Sequence, residues 1–256
     1  MSHSAPKAFD AHRLAQDLSV ARDRIPAASL AVPATIADSM AVQLASTGRT
    51  PGCKVALSPD GLPVTGWLAP LKSIVEGHPA AFPWRDGVRI EVEIAVRLGT
   101  ALPPRDGGYS RAELVTAIEA LHLGVEILDS RIEEGGEAPY LLFLADRLGN
   151  AGYALGPELP KEILGRVGRC QLDIHLGEAL LYSGNAQHPA GDVLAWLIAY
   201  ASDINRPSES LNAGEIVTTG ALCGAIPITS PGTLSADLKG LEGIRLIFAA
   251  DVNGGA

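Results

Sequence analysis

Glu91 and Glu93 stand two residues apart in the run Arg89-Ile90-Glu91-Val92-Glu93-Ile94-Ala95-Val96, where apolar and polar positions alternate. In a β-strand successive side chains point to opposite faces, so these two carboxylates share a face as near neighbours. Like charges at that spacing repel unless a cation lies between them or one carboxyl keeps its proton. A strand with one wet face, its glutamates simply solvated, is the plain alternative. A third acid, Glu126, occupies the middle of the apolar run Leu123-Gly124-Val125-Glu126-Ile127-Leu128-Asp129-Ser130-Arg131. An unpaired carboxylate there would be costly, so it must meet a cation or a positive side chain. Arg131 or Arg89 could serve as a structural partner. The chemical alternative joins Glu126 to Glu91 and Glu93 as an all-oxygen site for a hard divalent ion. Magnesium takes few carboxylates and keeps several waters, which leaves positions open to a substrate.

The elements that must position these acids can be read from periodicity. Phe9 to Arg24 carries Leu14, Leu18 and Ala21 at helical spacing. Pro33 opens a second expected helix that runs to about Ser46. Gly52-Cys53-Lys54-Val55-Ala56-Leu57 reads as a short strand, closed by the turn signal Pro59-Asp60-Gly61. A Pro/Gly-rich passage to Gly87 suggests a boundary, with an N-terminal helical region at 1–75 and a main domain at 76–256. In the main domain, Ser110 and Glu113 form a capping box ahead of a helix expected to reach His122. Strands are expected at Leu123 to Arg131, Cys170 to Leu176, Glu215 to Thr219 and Ile244 to Ala250. Short helices are expected from Tyr140 to Leu148 and after His188-Pro189. Many strands joined by long loops suggest an α+β fold built on a mixed β-roll rather than a doubly wound sheet.

Composition narrows the function classes. The 256 residues are 47% hydrophobic and 19% charged, enough to bury a sizeable core. A formal net charge of −9 argues against nucleic acid and against an anionic membrane surface as partner. Cys53, Cys170 and Cys223 are far apart and form no Cys-x-x-Cys pair, which fits a reducing compartment. The first ten residues hold no apolar run of leader length, and no stretch approaches the roughly 20 apolar residues of a membrane span. A cytoplasmic setting is the expectation.

Asp38 to Gln43, Gly52-Cys53-Lys54-Val55, Arg89 to Ile94, Glu126 to Arg131 and Leu144-Ala145-Asp146 form an ordered series along the chain. Gly184, His188-Pro189, Trp196-Leu197, Ala213 to Val217 and Thr219-Gly220 complete it, so that it covers roughly residues 33–250. In this order and spacing the segments resemble the 2-keto-4-pentenoate hydratase and 4-oxalocrotonate decarboxylase family, a branch of the fumarylacetoacetate hydrolase fold.

This resemblance implies a magnesium or manganese site at Glu91, Glu93 and Glu126. It also implies a 2-hydroxy-dienoate or 2-keto acid substrate from meta-cleavage of aromatic rings. Metal-dependent hydration is the leading expectation. Decarboxylation of a dicarboxylic substrate, with Lys72 or Arg147 meeting the second carboxylate, is the alternative. A non-catalytic partner subunit remains open, as does C–C hydrolysis. A homo-oligomer is expected, and association with a related family member is a further expectation. Lys54 matches the family's lysine, so it is expected to contact the substrate carboxylate or relay a proton, with its pKa lowered if buried. A lysine snorkelling to water is the alternative. Asp146 could act as a general base or orient water, or form a salt bridge. His188 could contact substrate, or cap and pack. After Asp146 the chain reads Arg147-Leu148-Gly149-Asn150, where family members usually carry Asn-Ala-Ser.

Overall fold

The structure, a computed structural model, describes residues 9–75 and 78–250; the leader reading falls mostly on residues 1–8, outside that range. The first elements in chain order are α1 (Ala11–Val20), α2 (Ile36–Thr47), β1 (Gly52–Leu57), β2 (Pro63–Trp67), β3 (Leu71–Ser73), β4 (Ala80–Trp84) and β5 (Arg89–Leu98). There follow α3 (Arg111–Ala117), β6 (Ile118–Leu128), α4 (Tyr140–Ala145), β7 (Asn150–Leu159), β8 (Gln171–Leu176) and β9 (Ala179–Asn185). Last come α5 (Ala195–Ala201), β10 (Ile216–Ala221), β11 (Ile226–Pro227), β12 (Gly232–Leu238) and β13 (Ile244–Ala250). The α+β class expected from the sequence is what these elements form.

The chain divides into two units. Among the described residues, one comprises 9–49 and 130–149; the other comprises 50–75, 78–129 and 150–250. This corrects the boundary expected near residue 75. The Pro/Gly-rich passage is no linker: within it β2 pairs with β1, β3 with β7 and β4 with β13, which commits these residues to the two sheets of the larger unit.

The smaller unit packs Leu14, Leu18, Val42, Ile132, Ala138, Leu142 and Ala145 into one apolar cluster. Asp10 caps α1 by accepting from the Arg13 amide at 3.0 Å. Helix α2 starts three residues later than Pro33 suggests. Thr35 is its N-cap, and the Thr35 hydroxyl and Asp38 carboxylate satisfy each other's backbone amides at 3.0 Å. Within this unit Ser39 Oγ donates to the Leu141 carbonyl at 2.8 Å, and Gln43 Nε2 donates to that of Leu144 at 2.7 Å.

The larger unit holds two sheets. The eight-stranded sheet runs β2-β1-β10-β5-β6-β7-β3, with β11 added beside β5; the five-stranded sheet runs β4-β13-β12-β8-β9. Parallel pairs (β1 with β10, β3 with β7, β4 with β13) are mixed with antiparallel ones. Ile90, Val92, Ile94 and Val96 of β5 share one core with Leu172, Ile174, Leu234 and Leu246 of the five-stranded sheet. Burial on that side leaves Glu91 and Glu93 on the opposite face of β5.

Helix α3 ends at Ala117 rather than His122, and β6 begins at once, five residues before the expected strand. The capping box correctly marks the start, with the Ser110 hydroxyl and Glu113 carboxylate satisfying each other's amides. Downstream, pairing to β5 and β7 on both sides overrides the helical pattern.

A candidate metal centre on the eight-stranded sheet

Strand register brings the three acids together. Glu91 lies directly opposite Glu126 across β5 and β6, and Glu93 lies opposite Gly124 two residues further on. Directly opposed residues share a face, and like charges in that position destabilise a sheet. One carboxylate oxygen from each of Glu91, Glu93 and Glu126 can be chosen so that all lie within 4.8 Å of one another. The wet-face alternative fails here. Glu93 is 1% exposed and Glu126 0%, while Glu91 is only partly shielded.

Lys54 is the cation that meets Glu126. Its Nζ donates to Glu126 Oε1 at 2.8 Å, and Asn150 Nδ2 donates to the same oxygen at 2.9 Å. Neither arginine considered from the sequence takes that place. Arg89 donates to the Ala225 carbonyl at 2.6 Å, and Arg131, in the smaller unit, binds Asp146. Lys54 reaches the acids because β1 joins the sheet through β10, where Lys54 is the register partner of Thr218 and Thr218 that of Ala95 on β5.

The electrostatics correct one expectation. Desolvation alone would lower the Lys54 pKa, but the carboxylates of Glu126, Glu91 and Glu93 outweigh it, and the net direction is upward. Lys54 is therefore a held ammonium rather than a neutral base. Burial, reinforced by the charges of Glu126 and Glu91, holds the Glu93 carboxyl well above the usual range. Burial also raises Glu91, against the attraction of Lys54. Three carboxyl groups face Lys54, with Arg89 also acting on Glu91, and without an ion Glu93 is the one that keeps its proton.

Two further groups surround Glu93 that periodicity could not reveal. Tyr153 on β7 is the register partner of Glu126 and is fully buried. Its hydroxyl and that of Thr218 neighbour Glu93, yet neither reaches hydrogen-bonding geometry. Glu93 Oε2 and Glu126 Oε2 are likewise buried without a hydrogen-bond partner. Buried polar atoms are almost always satisfied, so a group of orphans in one place indicates a bound ion or water. Hard oxygen donors, excess negative charge and orphaned carboxylate oxygens together fit a divalent cation.

His188 and Trp196 brace the adjoining strand. Strand β10 carries a bulge between Thr218 and Ala221, beside the register partner of Glu93. Within it, Gly220 has φ +119°, and a Cβ there would lie 2.5 Å from the Trp196 ring and 2.9 Å from His188 Nε2. His188 Nδ1 accepts from the Ala190 amide at 3.2 Å, which leaves Nε2–H to donate to the Thr219 carbonyl at 2.6 Å. His188 thus takes the packing alternative, with its ring 4.9 Å from that of Trp196 and both ring nitrogens engaged with backbone groups.

Asp146 belongs to the smaller unit, where its carboxylate is already occupied. Oδ2 accepts from Ser130 Oγ at 2.7 Å and from the Arg131 amide at 3.0 Å, and Oδ1 pairs with the Arg131 guanidinium. The salt-bridge alternative describes this geometry better than a general base. Asp146→Ala removes the anion from a buried pair and is expected to cost about 3–5 kcal/mol in urea unfolding. Full stability combined with lost turnover would instead restore a proton-transfer role.

Comparison with known proteins gives the following. A family model described as the fumarylacetoacetate (FAA) hydrolase C-terminal family matches residues 57–241. The chain is 28% identical over 161 residues to 2-keto-4-pentenoate hydratase 2 of Dechloromonas aromatica, covering 63% of this chain. It is 30% identical over 166 residues to 2-keto-4-pentenoate hydratase of Paraburkholderia phymatum, again covering 63% of this chain. Each match spans 60% of the relative's own length. Among solved structures, 4-oxalocrotonate decarboxylase from Pseudomonas putida G7, complexed with magnesium and adipate, superposes with a TM-score of 0.72 at 19% identity. That superposition covers 93% of this chain and 97% of the other. Maleylpyruvate hydrolase from Sphingobium sp. SYK-6, in complex with manganese and pyruvate, gives a TM-score of 0.51 at 13% identity, covering 78% and 69% respectively. These two likenesses concern the fold.

Proposed function

From the premise that the chain belongs to the fumarylacetoacetate hydrolase C-terminal family, we propose that it is a divalent-metal-dependent lyase that hydrates a short 2-hydroxy-dienoate. The single observation that carries this reading is the trio of Glu91, Glu93 and Glu126, two of them buried, with two orphaned carboxylate oxygens and one ammonium beside it. The partly matching relatives named as 2-keto-4-pentenoate hydratases support the reaction type. The magnesium and manganese in the two named solved structures support the choice of ion.

In this reading Glu91, Glu93 and Glu126 hold the ion. Bound there, a divalent cation supplies Lewis-acid polarisation to an oxygen-rich substrate. Lys54 Nζ, an ammonium beside Glu126, offers positive charge to a substrate carboxylate. Asn150 fixes Glu126 from the other side: Nδ2 donates to Glu126 Oε1, while Oδ1 accepts from the Ala69 amide at 3.0 Å. Such outer contacts orient the groups that touch an ion.

The same face carries Leu68, Ala95, Leu155 and Ile216 in an apolar cluster with Tyr153. Apolar surroundings of this kind favour the uncharged tail of a monocarboxylic dienoate over a second carboxylate. Lys72, considered for a dicarboxylic substrate, donates to the Ala81 carbonyl at 2.6 Å and lies 4.7 Å from the centre of the Phe82 ring. Arg147, the other candidate, belongs to the smaller unit.

Loss of diene ultraviolet absorbance from 2-hydroxypenta-2,4-dienoate tests the proposal. It is expected with magnesium, with formation of a 4-hydroxy-2-keto acid, and is expected to stop with excess chelator. No loss in either condition, together with release of carbon dioxide from a 2-keto dicarboxylate carrying a conjugated alkene, would replace hydration by decarboxylation.

A further inference from the structure

Tyr153 presents a buried hydroxyl that the mechanism above does not use. Its ring is fully buried, and its hydroxyl has no partner at hydrogen-bonding geometry. Phenylalanine would fill the same space without leaving a polar atom unsatisfied, so the hydroxyl is costly unless it acquires a partner.

The register shows which partner is within reach. Tyr153 sits across from Glu126, and its side chain extends along the sheet over Gly124. A Cβ on Gly124 would lie 2.0 Å from Tyr153 Oη and 2.5 Å from Cζ, so the ring occupies that position only because Gly124 has no side chain. Gly124 is in turn the register partner of Glu93. Glu93 Oε2, like Tyr153 Oη, is buried and unsatisfied. Two orphans of complementary chemistry, a donor and an acceptor, thus stand on neighbouring positions of one sheet face.

We propose that Tyr153 is a positioning residue for the metal centre, its hydroxyl donating to Glu93 so that one carboxylate oxygen is fixed and the other is presented to the cation. This rests on the reading of Glu91, Glu93 and Glu126 as a divalent-cation site. It adds a donor from β7 to a ligand set supplied by β5 and β6. The same contact satisfies a hydroxyl and a carboxylate oxygen that otherwise lack partners.

The test is manganese binding to the full-length protein, followed by electron paramagnetic resonance, in the parent, Tyr153→Phe and Glu93→Gln. Unfolding midpoints in chelator are measured alongside. The parent is expected to bind manganese and Glu93→Gln to lose it. Tyr153→Phe should bind about tenfold more weakly, the scale of lost outer-shell partners. Its bound-manganese spectrum should be altered, and its midpoint in chelator unchanged or higher. A merely structural tyrosine would lower that midpoint and leave the spectrum alone. Parent-like affinity and spectrum in Tyr153→Phe, with binding lost in Glu93→Gln, would overturn the role of Tyr153 alone. Absence of manganese binding in the parent would overturn both this role and the metal site.

Discussion

Replacing Glu93 by glutamine is expected to lower metal-dependent turnover by on the order of 100-fold or more, while the metal-free protein stays as stable as the parent or becomes more so. The first effect follows from position: Glu93 is buried beside two other carboxylates, and one oxygen from each of the three lies within 4.8 Å of the others. Losing an outer-shell partner alone typically costs 10–100-fold, and a direct ligand should cost no less. The second effect follows from charge. Burial and the neighbouring acids raise the Glu93 pKa well above the usual range, so the folded protein binds this proton more tightly than the unfolded chain. A carboxyl raised in this way makes stability fall as pH increases. The loss begins near the unfolded value of about 4.3 and continues until the folded value is passed. In chelator, the parent should therefore lose urea resistance between pH 5 and pH 8, and Glu93→Gln should lose less. Full activity in the variant would remove Glu93 from the ligand set. Unfolding of the variant in chelator would make Glu93 structural.

Lys54→Met is expected to produce the opposite pattern, a large loss of stability that added metal partly restores. The Lys54 side chain is 12% exposed and that of Glu126 0%, and the two meet at 2.8 Å. Removing one member of a buried ion pair leaves an uncompensated charge and typically costs 3–5 kcal/mol. Asn150 still donates to Glu126 Oε1, which moderates the loss without neutralising the charge. A divalent cation bound by Glu126 supplies the missing positive charge, so magnesium should raise the midpoint of Lys54→Met more than that of the parent. Turnover should stay low in both conditions, because the held ammonium is gone. Unchanged stability in chelator would mean that Glu126 does not depend on Lys54.

Much of this centre was legible in the chain because strands obey a simple parity. Alternation in β5 was enough to put Glu91 and Glu93 on one face, and the apolar surroundings of Glu126 marked a carboxylate in need of a cation. Parity does not encode register, however. That Glu126 faces Glu91, that Gly124 faces Glu93, and that Tyr153 reaches over Gly124 are properties of pairing between distant strands. Asn150 and Tyr153 were harder still to find, because β7 follows a turn in which Arg147, Leu148 and Gly149 all have positive φ, at 56°, 54° and 77°. Only the glycine suggests such a turn from its residue type.

The domain boundary was misread for a related reason. Prolines and glycines between residues 58 and 87 mark turns between short strands as readily as they mark a linker, and pairing partners far along the chain decide which. Nor is the direction of the Lys54 shift legible in the chain: burial by itself points downward, and three carboxylates from distant positions reverse its effect.

The most direct test of the central claim, that Glu91, Glu93 and Glu126 hold a divalent ion, is a crystal of the full chain soaked in manganese and recorded with anomalous scattering. An anomalous peak is expected among the three carboxylates, and it should weaken when magnesium competes. No peak there at millimolar manganese, or a peak only elsewhere on the chain, would contradict the account.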